Sequence, residues 1–133
     1  MHNRSVIMYA NSNSQILTDY SALVIELFHV VDSCKWESLT DVFHSNIIYE
    51  RPGYNAFVGI ERLLKFYQME RVIASGKHYI EHITIDGSYG ACWGRFIGVS
   101  KEACQIDELF ADVYSFEKGK IKTRKTHFFR PAV

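Results

Sequence analysis

The side chain most suited to chemistry in this sequence is Asp112, a lone carboxylate in a run typical of a buried strand, residues 108–116. Alternate residues of a strand share a face, so Asp112 lies on the same face as the rings of Phe110 and Tyr114. A carboxylate among rings must be paired, hydrogen-bonded or protonated. The pattern therefore predicts a pocket wall, where Asp112 is a general acid or base.

The same carboxylate has a second interpretation, as half of a buried ion pair with Arg51 or Arg124. A paired Asp112 would clamp a polar ligand and would not carry a proton. Arg51 itself has two interpretations. It either binds a carboxylate, enolate or phenolate oxygen of a ligand, or it is a surface arginine paired with a nearby glutamate. The sequence leaves both choices open.

His78 is the other candidate for acid–base work, because a histidine titrates near neutral pH. The alternative is a histidine that is simply hydrogen-bonded in place. His78 and His82 are predicted to share a strand face about 13 Å apart, too far to bind one metal ion. Further ligand-binding candidates are aromatic, and we interpret them as a pocket wall or, for Tyr54, a loop lid: Tyr49, Tyr54, Phe66, Trp93, Phe110 and Tyr114.

The positions of these candidate residues depend on the predicted secondary structure, which is a succession of helices followed by strands. Residues 1–15 are predicted to be a flexible tail and residues 16–133 a single domain. Asp19 is a predicted N-cap, and a helical stripe of apolar residues follows it: Leu23, Val24, Leu27, Phe28 and Val31. A short helix, a first strand and a third helix come next, the last reaching Ser75 and Gly76. Among the later strands, Gly94 and Gly98 are predicted to mark a bulge or bend, and residues 117–119 a turn. The predicted elements are helices 19–31, 36–43 and 59–75, and strands 46–50, 78–86, 91–99, 108–116 and 121–129. Helices first and hairpin-linked strands afterwards predict an α+β fold with a bent antiparallel sheet.

Composition narrows the functional classes. The chain has 133 residues, 47% of them hydrophobic, which indicates one domain with a hydrophobic core. Its formal net charge is zero, so no positive electrostatic field is expected that would attract nucleic acid. No apolar run is long enough for a membrane span, and no signal peptide is apparent. Three cysteines without metal-ligand spacing suit a reducing cytoplasm. No cofactor or metal motif is present, so we expect neither.

Three segments in order give a resemblance: YERPG at 49–53, GIERLLKFY at 59–67 and FADVYSFEKGKI at 110–121. Together they resemble the SnoaL-like branch of the nuclear transport factor 2-like (ketosteroid isomerase-like) superfamily, over about residues 18–131. The resemblance implies a cone-shaped barrel, in which a strongly bent, mainly antiparallel sheet wraps around N-terminal helices and encloses an apolar pocket. It also implies a homodimer formed through the outer sheet face.

Carried over by position, the resemblance places Asp112 where ketosteroid isomerases hold an oxyanion with a protonated Asp. Polyketide cyclases of this superfamily have an acid–base Asp near the same position. The isomerase base position is occupied here by Arg51, and the oxyanion Tyr position by Leu27. Steroid isomerisation of that type is therefore not expected. The resemblance also places Arg124 on the pocket side and favours His78 over His82 as a pocket acid or base.

We therefore expect a cytoplasmic protein that binds a small apolar ligand containing a carbonyl group, with no membrane or nucleic-acid partner. If it is an enzyme, the expected chemistry is cofactor-independent proton transfer of isomerase, cyclase or hydrolase type. The alternative is a non-catalytic ligand-binding or dimeric assembly module on the same scaffold, since one fold supports many roles.

Overall fold

The computed structural model describes residues 7–10 and 16–131. The strands are β1 (Ile7–Ala10), β2 (Ile16–Asp19), β3 (Phe43–Glu50), β4 (Phe57–Val58), β5 (Ile73–Asp86), β6 (Tyr89–Ser100), β7 (Gln105–Glu117) and β8 (Lys120–Phe128). The helices are α1 (Tyr20–Asp32), α2 (Leu39–Val42) and α3 (Ile60–Lys65), with a 3₁₀ turn at Trp36–Ser38 and a π turn at Phe66–Glu70. β1 lies in the predicted tail and pairs with β2, which belongs to the predicted domain; residues 1–6 and 11–15 lie outside the described residues.

The main sheet has six strands in the order β4-β3-β8-β7-β6-β5. All its pairs are antiparallel except β3 with β8, which is parallel. Tight turns join β5 to β6 and β7 to β8, where Gly87 and Gly119 adopt the positive φ that such turns require. This arrangement confirms the predicted α+β fold with a curled, mainly antiparallel sheet.

The backbones of the paired strands β5 and β6 approach each other closely at two glycines of β6. A Cβ atom on Gly94 would collide with the carbonyl oxygen of Tyr79, and one on Gly98 with that of Ser75. Only glycine tolerates such a close backbone approach. These two positions, predicted to mark a bulge or bend, therefore require glycine for the β5–β6 pairing.

Helix α1 fills the concave side of the sheet. Its N-cap is Asp19, whose carboxylate accepts hydrogen bonds from the backbone N–H groups of Ser21 (3.1 Å) and Ala22 (3.3 Å). The buried face of the helix packs against the sheet core, and it consists of Leu23, Val24, Leu27, Phe28, Val30 and Val31. The cap and stripe predicted from the sequence are confirmed.

Two local predictions are wrong. The third helix ends at Glu70 instead of continuing to residue 75, because residues from Ile73 onward pair with β6 as a strand. The shared face of His78 and His82 is also absent, because the β5–β6 register shifts between Ile80 and His82. One extra residue at this bulge turns His82 to the outer face, where its ring stacks on Trp93 at 4.9 Å.

Candidate ligand site inside the cone

Asp112 lies at the centre of the concave side of β7 and is completely buried. Its Oδ2 accepts hydrogen bonds from Arg124 Nε (2.9 Å) and from the Tyr114 hydroxyl (2.8 Å). Its Oδ1 accepts one from the Thr126 hydroxyl at 2.6 Å. Strand pairing causes this convergence, because Thr126 is directly opposite Asp112 and Arg124 is opposite Tyr114. Every neighbour of the carboxylate donates to it, which is the environment of an ionised acceptor.

Arg124 is held as firmly as the carboxylate it pairs with. Its Nη1 donates to the hydroxyl of Tyr67 at 3.0 Å, and its guanidinium lies 4.6 Å from the centre of the Tyr49 ring. Burial alone would lower the pKa of Arg124, but the Asp112 carboxylate more than offsets this and holds it well above its ordinary value. Arg124 is thus a permanent buried cation with a matched anion.

The network extends to the end of β3. The Tyr49 hydroxyl is 2.8 Å from the Thr126 hydroxyl, and because Thr126 donates to Asp112, Tyr49 donates to Thr126. Arg51 Nη1 in turn donates to the Tyr49 oxygen at 3.4 Å. The Arg51 guanidinium lies over the rings of Tyr54 and Phe66 at 5.8 and 5.5 Å. Arg51 therefore contacts the interior through Tyr49, Tyr54 and Phe66.

His78 on β5 forms a second polar pair with Asp32, the last residue of α1. His78 Nδ1 is 2.6 Å from Asp32 Oδ1, and the His78 backbone N–H donates to Asp32 Oδ2 at 2.8 Å. Because a carboxylate only accepts, Nδ1 carries the proton. Among the described residues, Nε2 has no hydrogen-bond partner. This tautomer leaves the Nε2 lone pair available to take a proton.

Aromatic rings surround the imidazole of His78. Its ring centre lies 4.5 Å from that of Phe28, 4.7 Å from that of Phe96 and 5.3 Å from that of Phe110. Burial in this apolar cage lowers the pKa of His78, although hydrogen bonding to Asp32 acts in the opposite direction. The imidazole is therefore neutral at physiological pH, the state required of a base.

A small cavity of about 30 Å³ lies between these groups, and its polar lining consists of Tyr49, Arg51, Tyr67, Arg71, His78, Glu108, Arg124 and Thr126. This volume accommodates a water molecule or the polar end of a ligand, but not a ring system. A groove of about 690 Å³ shares Arg71 and Glu108 with the cavity. The groove is within the size range of ligand sites, so a ligand's body fits there.

The cone therefore brings together most of the residues singled out from the sequence. Asp112, Tyr49, Arg51, His78, Phe110, Tyr114 and Arg124 all lie around or beside the cavity. Tyr54 and Phe66 pack one layer behind it, edge to face at 5.2 Å. Trp93 lies elsewhere, 44% exposed on the convex side. The inward residues of β6 are Cys92, Gly94 and Phe96.

Comparison with known proteins agrees with this architecture. The sequence profile of the SnoaL-like domain family matches residues 24–124. The chain belongs to the SnoaL-like domain family. Among curated proteins, no sequence matches this SnoaL-like chain.

Solved structures give the same fold at low identity. A putative SnoaL-like polyketide cyclase from Jannaschia sp. CCS1 is 13% identical with a TM-score of 0.71, over 82% of this chain and 84% of that one. An NTF2-like protein of unknown function from Burkholderia pseudomallei K96243 is 15% identical with a TM-score of 0.74, over 81% and 88%. An LEH-like epoxide hydrolase from M. tuberculosis is 13% identical with a TM-score of 0.70, over 80% and 79%. These likenesses establish the fold alone.

Sequence reasoning missed three members of this SnoaL-like interior: Asp32, Tyr67 and Arg71. Asp32 and Tyr67 were available as helix-face residues, but their partners are 46 and 57 positions away along the chain. Arg71 follows the π turn and was assigned to a helix that does not continue there. Its burial depends on that turn, which no local sequence signal reveals. In the described part of the chain, no helix is long and apolar enough to cross a membrane.

Proposed function

We propose that this SnoaL-like domain binds a small, largely apolar carbonyl compound and moves a proton at the carbon beside the carbonyl group. His78 acts as the base and Asp32 orients it. The observation that carries this proposal is the His78–Asp32 pair, with a 2.6 Å contact at the edge of a cavity lined by arginines. This combination supplies a neutral base next to groups that stabilise negative charge.

In the proposed reaction, Nε2 of His78 takes a proton from the carbon and the C–H electron pair becomes the C=C bond of an enolate. The charge that develops on the carbonyl oxygen is stabilised by the nearby guanidinium groups. Return of the proton from His78 to a different carbon completes an isomerisation. In a cyclisation, the enolate carbon attacks a second carbonyl carbon within the ligand, the π electron pair of that carbonyl moves to its oxygen, and the alkoxide so formed takes the proton back from His78. Asp112 holds Arg124 in place and does not transfer the proton.

The test is exchange of carbon-bound hydrogen in heavy water, followed by NMR on a panel of small aryl ketones. Wild type should accelerate exchange of the proton next to the carbonyl, and His78→Asn should remove about 10²–10⁴-fold of that acceleration. His82→Asn is the matched control, since His82 is on the same strand but faces outward against Trp93. Equal rates for wild type and His78→Asn would contradict the proposal.

The second candidate, a dimeric assembly module, is favoured by the convex side of the sheet. Large apolar side chains on β5, β6 and β7 are 40–48% exposed there: Tyr79, Trp93, Ile97, Leu109 and Val113. These apolar side chains surround the exposed Arg95–Asp107 ion pair. A large exposed apolar surface with such a pair is typical of an interface, and the proposed occupant is a second copy of the chain. Dimerisation and proton transfer are compatible on one scaffold.

Sedimentation measures this directly. Wild type should sediment as a dimer at micromolar concentration, and Trp93→Glu should sediment as a monomer, because a charge in the middle of the face is desolvated on association. Val58→Glu is the control, because Val58 is 65% exposed but lies on β4, away from this face. A wild-type monomer would remove the assembly proposal and leave the proton-transfer proposal intact.

A further inference from the structure

Arg71 is a buried cation without an anion. Its side chain is 5% exposed, and its guanidinium lies over the rings of Trp36 and Tyr67 at 5.8 and 5.6 Å. Nε is buried and has no hydrogen-bond partner. Among the residues that the structure describes, no carboxylate lies within ion-pair distance of Arg71. Ring contacts attract the cation but do not satisfy its N–H donors.

The charges inside the cone do not balance. Within the described residues, the charged side chains that are buried are Arg71, Arg124 and Asp112, so two cations face one anion. The Asp32 carboxylate is partly exposed and is hydrogen-bonded to His78, not to Arg71. The carboxylate of Asp112 accepts hydrogen bonds from Arg124, Tyr114 and Thr126 and is paired with Arg124. Burial lowers the pKa of Arg71, and the nearby positive charge of Arg51 acts in the same direction. A water molecule in the cavity would satisfy donors but leave this excess positive charge in place.

We propose that Arg71 binds the carboxylate of an apolar carboxylic acid whose body lies in the adjoining groove. This inference rests on the proposed function, since it gives the chemical class of the ligand at that site. The guanidinium matches a carboxylate geometrically, because two parallel N–H donors face two oxygens. The small cavity beside it accommodates such a head group and little more.

The groove suits the remainder of such a ligand. Its volume is about 690 Å³, and its apolar lining includes Met69, Val72 and Ile106. Arg71 and Glu108 line both the groove and the cavity, so a molecule in the groove reaches the guanidinium without crossing the core.

The charges at the groove wall favour a monoanion. Glu70 is paired with Arg62 at 2.9 Å and Glu108 with Arg130 at 2.8 Å, so these two carboxylates are partly neutralised. Glu102 also lines the groove. A dianion such as phosphate would be repelled by these acids more strongly than a single carboxylate. The chemistry therefore points to a carboxylic acid.

The backbone holds Arg71 in this position. The π turn at Phe66–Glu70 ends with the Arg71 backbone N–H donating to the Phe66 carbonyl at 2.9 Å. Turns of this type are uncommon and occur often at functional sites, because they change the direction of the residues that follow. Here the turn presents Arg71 to the interior, whereas its neighbours Glu70 and Val72 remain partly or largely exposed.

The test is calorimetric titration of the whole protein with hydrocinnamate and octanoate, each compared with its primary amide. Wild type should bind each acid at least about tenfold more tightly than its amide. Arg71→Met should bind acid and amide equally. Arg71→Lys should have a preference for the acid between those of wild type and Arg71→Met, because lysine keeps the charge but lacks the two parallel N–H donors. Lys65→Met is the matched control, since Lys65 is an exposed cation on α3 that lines neither the groove nor the cavity. It should change acid affinity by less than about twofold.

Three results would overturn the inference: no acid binding to wild type at millimolar concentration, equal affinity for acid and amide, or unchanged acid binding in Arg71→Met. Circular dichroism and urea midpoints establish that each variant folds. If amides and ketones bind but Arg71 makes no difference, the anion site is wrong and the proposed function remains. If His78-dependent exchange fails while the acids bind through Arg71, the proposed chemistry is wrong and the anion site remains.

Discussion

Arg124 and Arg71 occupy the same interior, and each side chain is 5% exposed, but their environments are opposite. Arg124 pairs with Asp112 at 2.9 Å and donates to Tyr67. Arg71 has ring contacts and an Nε without an acceptor. A buried cation with all its partners in place maintains the structure, whereas a buried cation without one costs stability unless a ligand supplies the anion. Equal burial therefore conceals two different roles.

The comparison also changes the significance of Asp112. Asp112 accepts from an arginine and two hydroxyls, and it is not among the residues that line the cavity. We therefore propose that it affects ligands indirectly, by holding Arg124 in position. We propose the acid–base role for His78 instead, because its Nδ1 is fixed by Asp32 and its Nε2 has no partner among the described residues.

The largest expected effect is that of Asp112→Asn, which leaves the Arg124 charge uncompensated in the core. The free energy of unfolding should fall by about 3–5 kcal/mol, measured by urea denaturation. Asp107→Asn is the matched control. Asp107 pairs with Arg95 through two contacts of 2.6 Å, but both side chains are about half exposed. Its midpoint should therefore stay near that of wild type.

A double variant tests whether the unpaired charge of Arg124 causes the instability of Asp112→Asn. Replacing the pair together, Asp112→Leu with Arg124→Met, should recover most of the stability that Asp112→Asn loses, because no charge is left unpaired. If Asp112→Asn is as stable as wild type, the contrast between Arg124 and Arg71 disappears. Asp112 would then again be a candidate for proton transfer.

Arg71→Met should change the free energy of unfolding in the opposite direction from Asp112→Asn, and by a smaller amount. Removing an unpaired buried cation is expected to raise the free energy of unfolding by about 1 kcal/mol, after allowance for the lost contacts with Trp36 and Tyr67. Urea denaturation without any carboxylate in the buffer measures it. A loss of stability as large as that of Asp112→Asn would show that Arg71 is a structural residue with a partner of its own.

The sequence was sufficient for the fold because its signals were local. The helix stripe from Leu23 to Val31, the Asp19 cap and the turn at Gly119 each depend on residues close in the chain, and all are observed. The candidate site was only partly predictable. Phe110, Asp112 and Tyr114 are alternate residues of one strand, so their shared face followed from periodicity.

The remainder of the site depends on long-range geometry. The pairing of Asp32 with His78 joins residues 46 positions apart, and nothing in either segment identifies the other. The bulge between Ile80 and His82 reverses the alternation of β5 without a glycine or proline to mark it. The π turn before Arg71 similarly breaks a helical pattern that looked continuous. Tertiary pairing decided each of these features.

A smaller effect is expected on the pKa of His78, whose partner Asp32 is, like Asp112 for Arg124, a carboxylate that can be removed by mutation. Burial lowers the pKa of His78 below the ordinary value of 6.5, and Asp32 partly opposes this. Asp32→Asn should therefore lower the pKa of His78 further, as followed by NMR of the imidazole, with His78→Asn identifying the resonance. An unchanged or raised pKa would show that the two side chains do not interact in solution.

The same shift predicts a dependence of stability on pH. As pH falls below 6.5, the unfolded state takes up a proton that folded His78 does not yet accept. The free energy of unfolding should therefore decrease from neutral pH down to the folded pKa of His78, and this group adds no further change below it. His78→Asn should remove that part of the slope, whereas the exposed His82→Asn should not. Urea midpoints at a series of pH values measure the difference.

The smallest expected effect is on the reactivity of the Cys92 thiol, which lies beside Tyr114 and Asp112 and therefore reports on that part of the interior. Cys92 Sγ lies 3.4 Å from the Tyr114 hydroxyl, which itself donates to Asp112, so the thiol donates to Tyr114. Burial and the Asp112 charge raise the pKa of Cys92 to about 11. At about pH 8 the thiol is therefore protonated and inaccessible, whereas Cys34 and Cys104 are exposed.

A disulfide reagent should accordingly modify Cys34 and Cys104 quickly in the native protein and Cys92 only on unfolding. In Asp112→Asn, Cys92 should react faster, because the weakened network opens more often. In Arg71→Met it should react as slowly as in wild type, because that residue supports no part of the Cys92 environment. Rapid modification of Cys92 in the native wild type would show that the Asp112 side is as open as the Arg71 side, which contradicts the distinction between a closed structural pair and an open ligand site.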